Sequence, residues 1–438
     1  MAKLHIAVFP WLAFGHLGPF FELAKLIAQK GHKISFISTP RNIHRMPKVH
    51  ENLQPLVNLI ELPLPHIDKL PENAEATIDI PDHIVPYLKK AFDGLQEPLT
   101  MFLERCKPDW IIYDFGSYWL PPICSKLGIS CIFFGIFSAS GQSFILDSIT
   151  RKKSETPEVK VILDVLSKQD ESGVSGMFRC VETLKGTQVL ATRTCMEIEG
   201  ESLKLLESIY GKPVIPVGLL PPSLQFSEDS NNDDNWNTIL NWLDKQEKKS
   251  VAYVAFGTEV TLSEEEFTEI AMGLELSGFP FFWALRKKNT LAIEAQDWDL
   301  SESKRGMMWR TWAPQLRILA HKSIGGFLSH CGWSSVIEGL QVGLPIIMLP
   351  FHNEQYLVAR LMEKKRLGIK VQKNEHDGKF TRDTVAKALR SVMLEEEGKT
   401  YRSQAEEMSK IFGDKDLHKN YVDEFVDYME VHRPAIKD

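Results

Sequence analysis

No stretch of the 438 residues reaches the roughly eighteen uninterrupted apolar side chains needed to cross a bilayer, so no membrane span is expected. Cysteine is sparse. Six residues (Cys106, Cys124, Cys131, Cys180, Cys195, Cys331) are scattered without C-x-x-C or zinc spacing. That excludes a disulfide framework or structural zinc and predicts reduced thiols in a cytoplasmic protein. Positive charge is not in excess: Lys and Arg number 51 against 58 Asp and Glu, a net charge of -7. A nucleic-acid partner would favour a basic face, so none is predicted. A secretory leader is not expected either. The apolar stretch 6–14 is broken by Pro10 and has no small-residue cleavage site. No internal repeat is visible.

What remains is an ordinary globular composition, 43% hydrophobic and 25% charged. The length suits two domains of roughly 200 residues each. Strand and helix alternate: apolar runs at 4–10, 33–38, 109–113 and 131–134 surround a helical pattern over 18–29. After a Pro-, Ser-, Asn- and Asp-rich segment the rhythm resumes with strands at 250–256, 279–286, 307–311, 324–328 and 345–350. Ser263 followed by Glu266 predicts a capping box for a helix ending near Ser277. The expected domains are 1–225 with a returning helix at 420–438, a linker at 226–236, and 237–419. Such alternation implies parallel βαβ units in doubly wound α/β sheets, whose ligands bind at strand carboxyl ends.

The densest chemistry lies in the 44 residues from Trp312 to Gln355. Trp312 offers a flat ring for a base, with Ala313 and Gln315 beside it. His330, Trp333, Ser334 and Ser335 surround a turn entering a helix, where main-chain amides and the dipole favour a diphosphate. Glu338 suits a ribose, and Glu354 and Gln355 suit a sugar, which together form the inventory for a nucleotide sugar. Cys331 fits this binding turn better than it fits a nucleophile. Gly257 and Thr258 follow a strand and add phosphate donors, although alone they read as any strand-to-loop turn.

Upstream, His16 follows the first strand, with Gly15 and Gly18 expected to let the chain turn there. Alone it reads as a solvated histidine at a helix start. Asp114 ends another strand at the same expected sheet edge, where it is either a helix N-cap or the partner that fixes the His16 tautomer for proton abstraction. Asp297 and Asp299 make a D-x-D, but in a polar segment away from a strand end, so they read as surface acids and not as a metal site. Phe14, Phe115, Tyr118, Trp119 and Phe137 are candidates for an apolar acceptor pocket, with ordinary core as the equal alternative.

The box at Trp312–Gln355 closely resembles the signature of plant secondary-product glycosyltransferases, the family 1 UDP-dependent enzymes. The G-H-x-x-P at Gly15–Pro19, the F-G-T at Phe256–Thr258 and the W-L-D-x-Q at Trp242–Gln246 resemble that family too. The likeness implies a GT-B fold, two Rossmann-like doubly wound parallel-sheet domains facing across a cleft, and an inverting, metal-free reaction without cofactor. By the same likeness Trp312 stacks on uracil and the Ala313 backbone bonds its edge. Gln315 and Glu338 hold the ribose. His330, Ser335 and Thr258 bind the phosphates, and Trp333, Glu354 and Gln355 bind the sugar. His16 is the base and Asp114 its partner. Two positions depart from the family, Ser334 where Asn is usual and Glu354 where Asp is usual.

Gln355 at the box end favours UDP-glucose in this family. The stretches 9–16, 38–43 and 109–114 resemble a subgroup that adds sugar to an existing sugar on terpenoid or flavonoid glycosides, where UDP-rhamnose is the rival donor. Residues 145–190 are shorter and more polar than the family's usual acceptor-binding segment. A monomer is expected. A UDP-sugar epimerase would want carboxylates in the cleft, and a non-catalytic binder would lack His16 or Asp114.

Overall fold

The computed structural model describes residues 3–151, 163–224, 234–285, 305–352 and 354–434. Two compact units emerge from the chain's internal contacts, one comprising Met1–Leu220 with Lys415–Asp438 and the other Pro221–Asp414. The expected linker lies mostly outside the described residues. Its last three residues are already the first turn of a helix, Asp234–Leu243.

The first unit is a seven-stranded parallel sheet. Its strands are β1 (His5–Phe9), β2 (Lys33–Ser38), β3 (Val57–Glu61), β4 (Trp110–Tyr113), β5 (Ser130–Gly135), β6 (Val189–Thr192) and β7 (Val214–Pro216). Their spatial order is β3-β2-β1-β4-β5-β6-β7. β1 and β4 read as almost unbroken apolar runs because helices cover both faces of the sheet. The chain moves outward from β1 to β3, then returns to lay β4 on the other side of β1. That reversal is a topological switch point. Its register pairs Phe9 with Tyr113, so whatever follows these two residues emerges side by side.

The second unit repeats the plan with six parallel strands: β8 (Val251–Ala255), β9 (Phe281–Ala284), β10 (Gly306–Trp309), β11 (Ile324–Ser329), β12 (Ile346–Met348) and β13 (Gly368–Lys370). The order β10-β9-β8-β11-β12-β13 puts the reversal between β8 and β11, where Ala255 pairs with Ser329. The Ser263–Glu266 capping box closes in both directions, at 3.2 and 2.8 Å, and its helix ends at Ser277.

The carboxyl-terminal helix, Lys415–Val431, belongs to the first unit. Val422, Phe425, Val426 and Met429 join the core built by Leu17, Phe20 and the β-strands. The Trp110 indole donates to the Met429 carbonyl at 3.1 Å. Among the described residues no helix is long and apolar enough to cross a membrane.

Candidate functional site

At the β1/β4 switch point the structure joins His16 to Asp114. His16 lies in the first turn of the helix Phe14–Gln29, not in a loop before it. This corrects the expected role of Gly15 and Gly18. Both are helical without positive φ, and a Cβ at either would meet nothing within 4 Å. The tight path is made instead by main-chain bonds from Ala13 N to Trp11 O and from His16 N to Ala13 O, each 2.9 Å.

His16 is 9% exposed, which is incompatible with a solvated helix terminus. Its Nδ1 is 2.7 Å from Asp114 Oδ2. That same oxygen accepts Trp11 N at 3.0 Å, and Oδ1 accepts Phe115 N at 2.7 Å. Two main-chain donors from different strand ends therefore prevent the carboxylate from rotating. Asp114 is not a helix N-cap, because the next helix, Leu120–Leu127, is capped by Trp119. A buried carboxylate accepting from Nδ1–H leaves Nε2 as the basic nitrogen of the neutral ring.

Two of the acceptor-pocket candidates, Phe115 and Phe137, flank the imidazole, with centroids 5.6 and 5.7 Å away. Phe14 packs against the core with the Arg45 guanidinium 5.9 Å from its ring. Tyr118 meets Phe178 and Arg179. Trp119 is a correction. It is 7% exposed among Phe9 and Phe92, and its indole N–H goes to Asp93 at 3.2 Å, so it is core. The expected short segment 145–190 falls partly outside the described residues. On its described side the helix Gly176–Gly186 leads into β6.

The β8/β11 switch point builds the second cluster in the same way. Gly257 follows β8 with φ +71, and His330 follows β11. A Cβ on Gly257 would sit 2.7 Å from His330 Nε2, and one on Gly332 would sit 2.5 Å from it. The two glycines therefore bracket that nitrogen. Cys331 holds the turn at φ +67 with its amide on Ser329 Oγ at 3.2 Å. Burial pushes its thiol far above the thiolate range, as suits a structural turn residue. The helix Trp333–Gln341 then starts from Gly332 without a side-chain cap, and its positive end faces the same turn. Thr258 and Ser334 are half-buried and Ser335 is buried.

Burial, reinforced by nearby His352, depresses His330 to about 4 from 6.5, and the Ala255 backbone opposes this only in part. The folded unit thus binds this proton less readily than the unfolded chain. Stability from this source is complete above pH 6.5 and lost as pH falls toward about 4, by about 3 kcal/mol. Urea unfolding of wild type and His330→Gln across that range should show a shallower acid slope for the variant. Parallel slopes would assign the acid sensitivity elsewhere.

The remaining donor-side residues divide. Gln315 Nε2 donates to Glu338 Oε2 at 2.8 Å, and Tyr253 supports Gln315 at 3.3 Å, so the two residues expected at a ribose are brought together. Trp312 is 65% exposed, with its carbonyl held by Trp309 Nε1, and Ala313 beside it is half-buried. The ring of Trp333 is 3% exposed and lies against Phe412. Its main-chain amide is the group it offers. Gln355 Oε1 accepts Phe351 N and His352 N at 2.9 and 3.0 Å, so only its amide N–H groups remain for a ligand. Glu354 opens the helix Glu354–Lys364. The D-x-D at 297–299 and Asn353 lie outside the described residues.

Two features escaped the sequence reading. Lys373 donates to the Pro350 carbonyl at 2.7 Å and steadies the turn that carries Gln355. Arg179, 1% exposed, pairs with Asp93 beside the Asp114 loop. Neither sits in a motif, and only long-range packing reveals them.

The family profile described as "UDP-glucoronosyl and UDP-glucosyl transferase" matches residues 222–433. The chain is 45% identical to UDP-glycosyltransferase 91D2 of Stevia rebaudiana, covering 99% of this chain and 96% of that protein. It is 41% identical to soyasaponin III rhamnosyltransferase of Glycine max, covering 98% and 96%. Among solved structures, UGT73P12 of Glycyrrhiza uralensis, complexed with glycyrrhetinic acid 3-O-monoglucuronide, superposes with a TM-score of 0.81. The identity is 22%, over 98% of this chain and 96% of that one. This neighbour shows the fold, GT-B, with a parallel α/β sheet in each unit.

Proposed function

The chain belongs to the plant family 1 UDP-dependent glycosyltransferases, and from that premise we propose an inverting, metal-independent glucosyltransferase. It moves glucose from UDP-glucose to a sugar hydroxyl of a small terpenoid or flavonoid glycoside in the cytoplasm. The observation that carries the reading is the His16–Asp114 bond of 2.7 Å at a parallel-sheet switch point. His16 Nε2 takes the acceptor's hydroxyl proton as that oxygen bonds to the anomeric carbon. The bond from that carbon to the diphosphate breaks on the opposite side, and UDP leaves with the electron pair. Asp114 stabilises the imidazolium. The donors around Gly257, His330 and the start of the Trp333–Gln341 helix receive the charge that develops on the diphosphate. His330, held neutral by burial, acts there as a hydrogen-bond donor and not as a cation.

The donor preference rests on Gln355. Its oxygen is engaged by the turn, so it presents donors to the sugar hydroxyls. A second reading, transfer from UDP-rhamnose to the same acceptors, is supported by the 41% identity to the soybean rhamnosyltransferase. Incubation with each UDP-sugar and a panel of glycosides and aglycones, read by mass, separates the cases. A hexose gain on glycosides supports the first reading and a deoxyhexose gain the second. Gain on aglycones alone refutes the sugar-on-sugar assignment, and no gain on any acceptor refutes transfer.

Trp312 supplies the uracil platform, which accounts for so exposed a tryptophan in the box. Base-aromatic stacking is worth about 1–3 kcal/mol, so Trp312→Ala should weaken UDP binding about tenfold or more in calorimetry. Unchanged affinity would remove Trp312 from the site.

A further inference from the structure

The loop after β4 carries Asp114 at its start, and an ion pair from elsewhere in the first unit, with Arg179 buried and Asp93 half-buried, grips four of its next five residues. Asp93 ends the helix Val85–Asp93, and Arg179 lies on the helix Gly176–Gly186. Their contact is bidentate, Nη1 to Oδ1 at 2.7 Å and Nη2 to Oδ2 at 2.6 Å. Arg179 Nη1 also donates to the Gly116 carbonyl at 3.0 Å, and its guanidinium lies 5.0 Å from the Tyr118 ring. Asp93 in turn takes the Trp119 indole. One turn along the Arg179 helix, Thr183 Oγ1 donates to the Phe115 carbonyl at 3.3 Å, and Tyr113 donates to the Thr183 carbonyl at 3.0 Å. Residues 113, 115, 116, 118 and 119 are thus all fastened to the pair or its helix.

Such a pair is a poor way to gain stability, since burying the Arg179 charge and most of the Asp93 carboxylate costs about what their attraction returns. Its bidentate geometry instead fixes direction. The residues it fixes are the neighbours of Asp114, including Phe115, whose amide orients the carboxylate and whose ring flanks His16.

We propose that Arg179 and Asp93 are positioning residues for the proton-abstracting pair, setting turnover through the Asp114 loop and not through substrate contact. The proposal rests on the reading of His16 and Asp114 as that pair. Loosening the loop lengthens the His16–Asp114 bond and tilts the imidazole away from the acceptor oxygen. Misplacement of this kind costs on the order of tenfold to a hundredfold in rate.

The test compares wild type, Arg179→Lys, Asp93→Asn and Thr183→Val, each alone and with Asp114→Asn. Arg179→Lys should lower kcat about tenfold with little change in KM for the UDP-sugar, and should cost less than about twofold once Asp114 is already Asn. An equal loss in both backgrounds would show that the pair acts independently of Asp114 and overturn the proposal, as would wild-type kcat in Arg179→Lys. Thr183→Val, which exchanges a hydroxyl for a methyl, keeps the test decisive if the ion-pair variants fail to fold. A kcat loss in it that vanishes beside Asp114→Asn supports the proposal, and its absence overturns it. Nitrogen-labelled histidine spectra, with His16 assigned by His16→Ala, give a reading free of turnover. A changed Nδ1 signal in Arg179→Lys supports positioning even if no acceptor is ever turned over, whereas wild type inactive on every glycoside defeats only the transferase reading.

Discussion

His16→Ala is expected to cut turnover by about 10²–10⁴-fold while UDP binds as it does to wild type. The separation follows from the architecture. His16 and Asp114 hang from the β1/β4 switch point of one unit, and the groups assigned to UDP hang from the β8/β11 switch point of the other. Deleting the imidazole removes the proposed proton acceptor and alters none of the residues assigned to UDP. Asp114→Asn should be comparably damaging for a different reason. An asparagine amide can donate to Nδ1, which moves the ring proton to Nε2 and leaves no lone pair facing the acceptor hydroxyl. It also surrenders the charge that stabilises the imidazolium and the acceptor for Trp11 N, while Oδ1 can still accept Phe115 N. Calorimetry with UDP and rates with a glycoside acceptor measure the two properties separately. Near-normal turnover in His16→Ala would falsify the base assignment, and a matching loss of UDP affinity would make His16 a binding residue.

Much of this was legible in the sequence because parallel strands buried on both faces are nearly uniform apolar runs, and β1, β4 and β8 announce themselves as such. Three of the four edge strands do not, the exception being β10, which falls on the run expected at 307–311. β3, Val57-Asn58-Leu59-Ile60-Glu61, buries only Val57 fully and has no strict alternation, and β7 and β13 are three residues long, too short for any period. Motif residues were legible by type but not by direction. The ring of Trp333 turns into the core beside Phe412, and Trp119 joins Phe9 and Phe92, because neither packing partner is a sequence neighbour. The glycines at 15 and 18 looked like turn residues. A helix beginning at Phe14 uses them in an αR conformation, where strain cannot explain them.

The glycines that spacing cannot rank are the ones at the second switch point, and Gly332→Ala is the sharpest test of why they are there. Gly332 has φ -59 and ψ 136, a conformation open to any residue, so alanine adds no backbone strain. Its effect is the Cβ itself, 2.5 Å from His330 Nε2. The imidazole is buried and bracketed on its other side by Gly257, so it cannot swing clear without moving the β8 turn. Overpacking of this kind costs about 1–3 kcal/mol. Any share borne by the diphosphate site appears as weaker UDP binding, for which a loss of about tenfold or more is expected. Gly257→Ala should be worse, because alanine there also inherits φ +71. Gly18→Ala, whose methyl meets nothing within 4 Å, is the control and should melt no lower than wild type. The contrast separates two uses of glycine that look alike in the sequence, since one position merely tolerates the residue while the other leaves room beside the nitrogen proposed to meet phosphate. If Gly332→Ala bound UDP as wild type does, Nε2 would not be the group that meets the diphosphate.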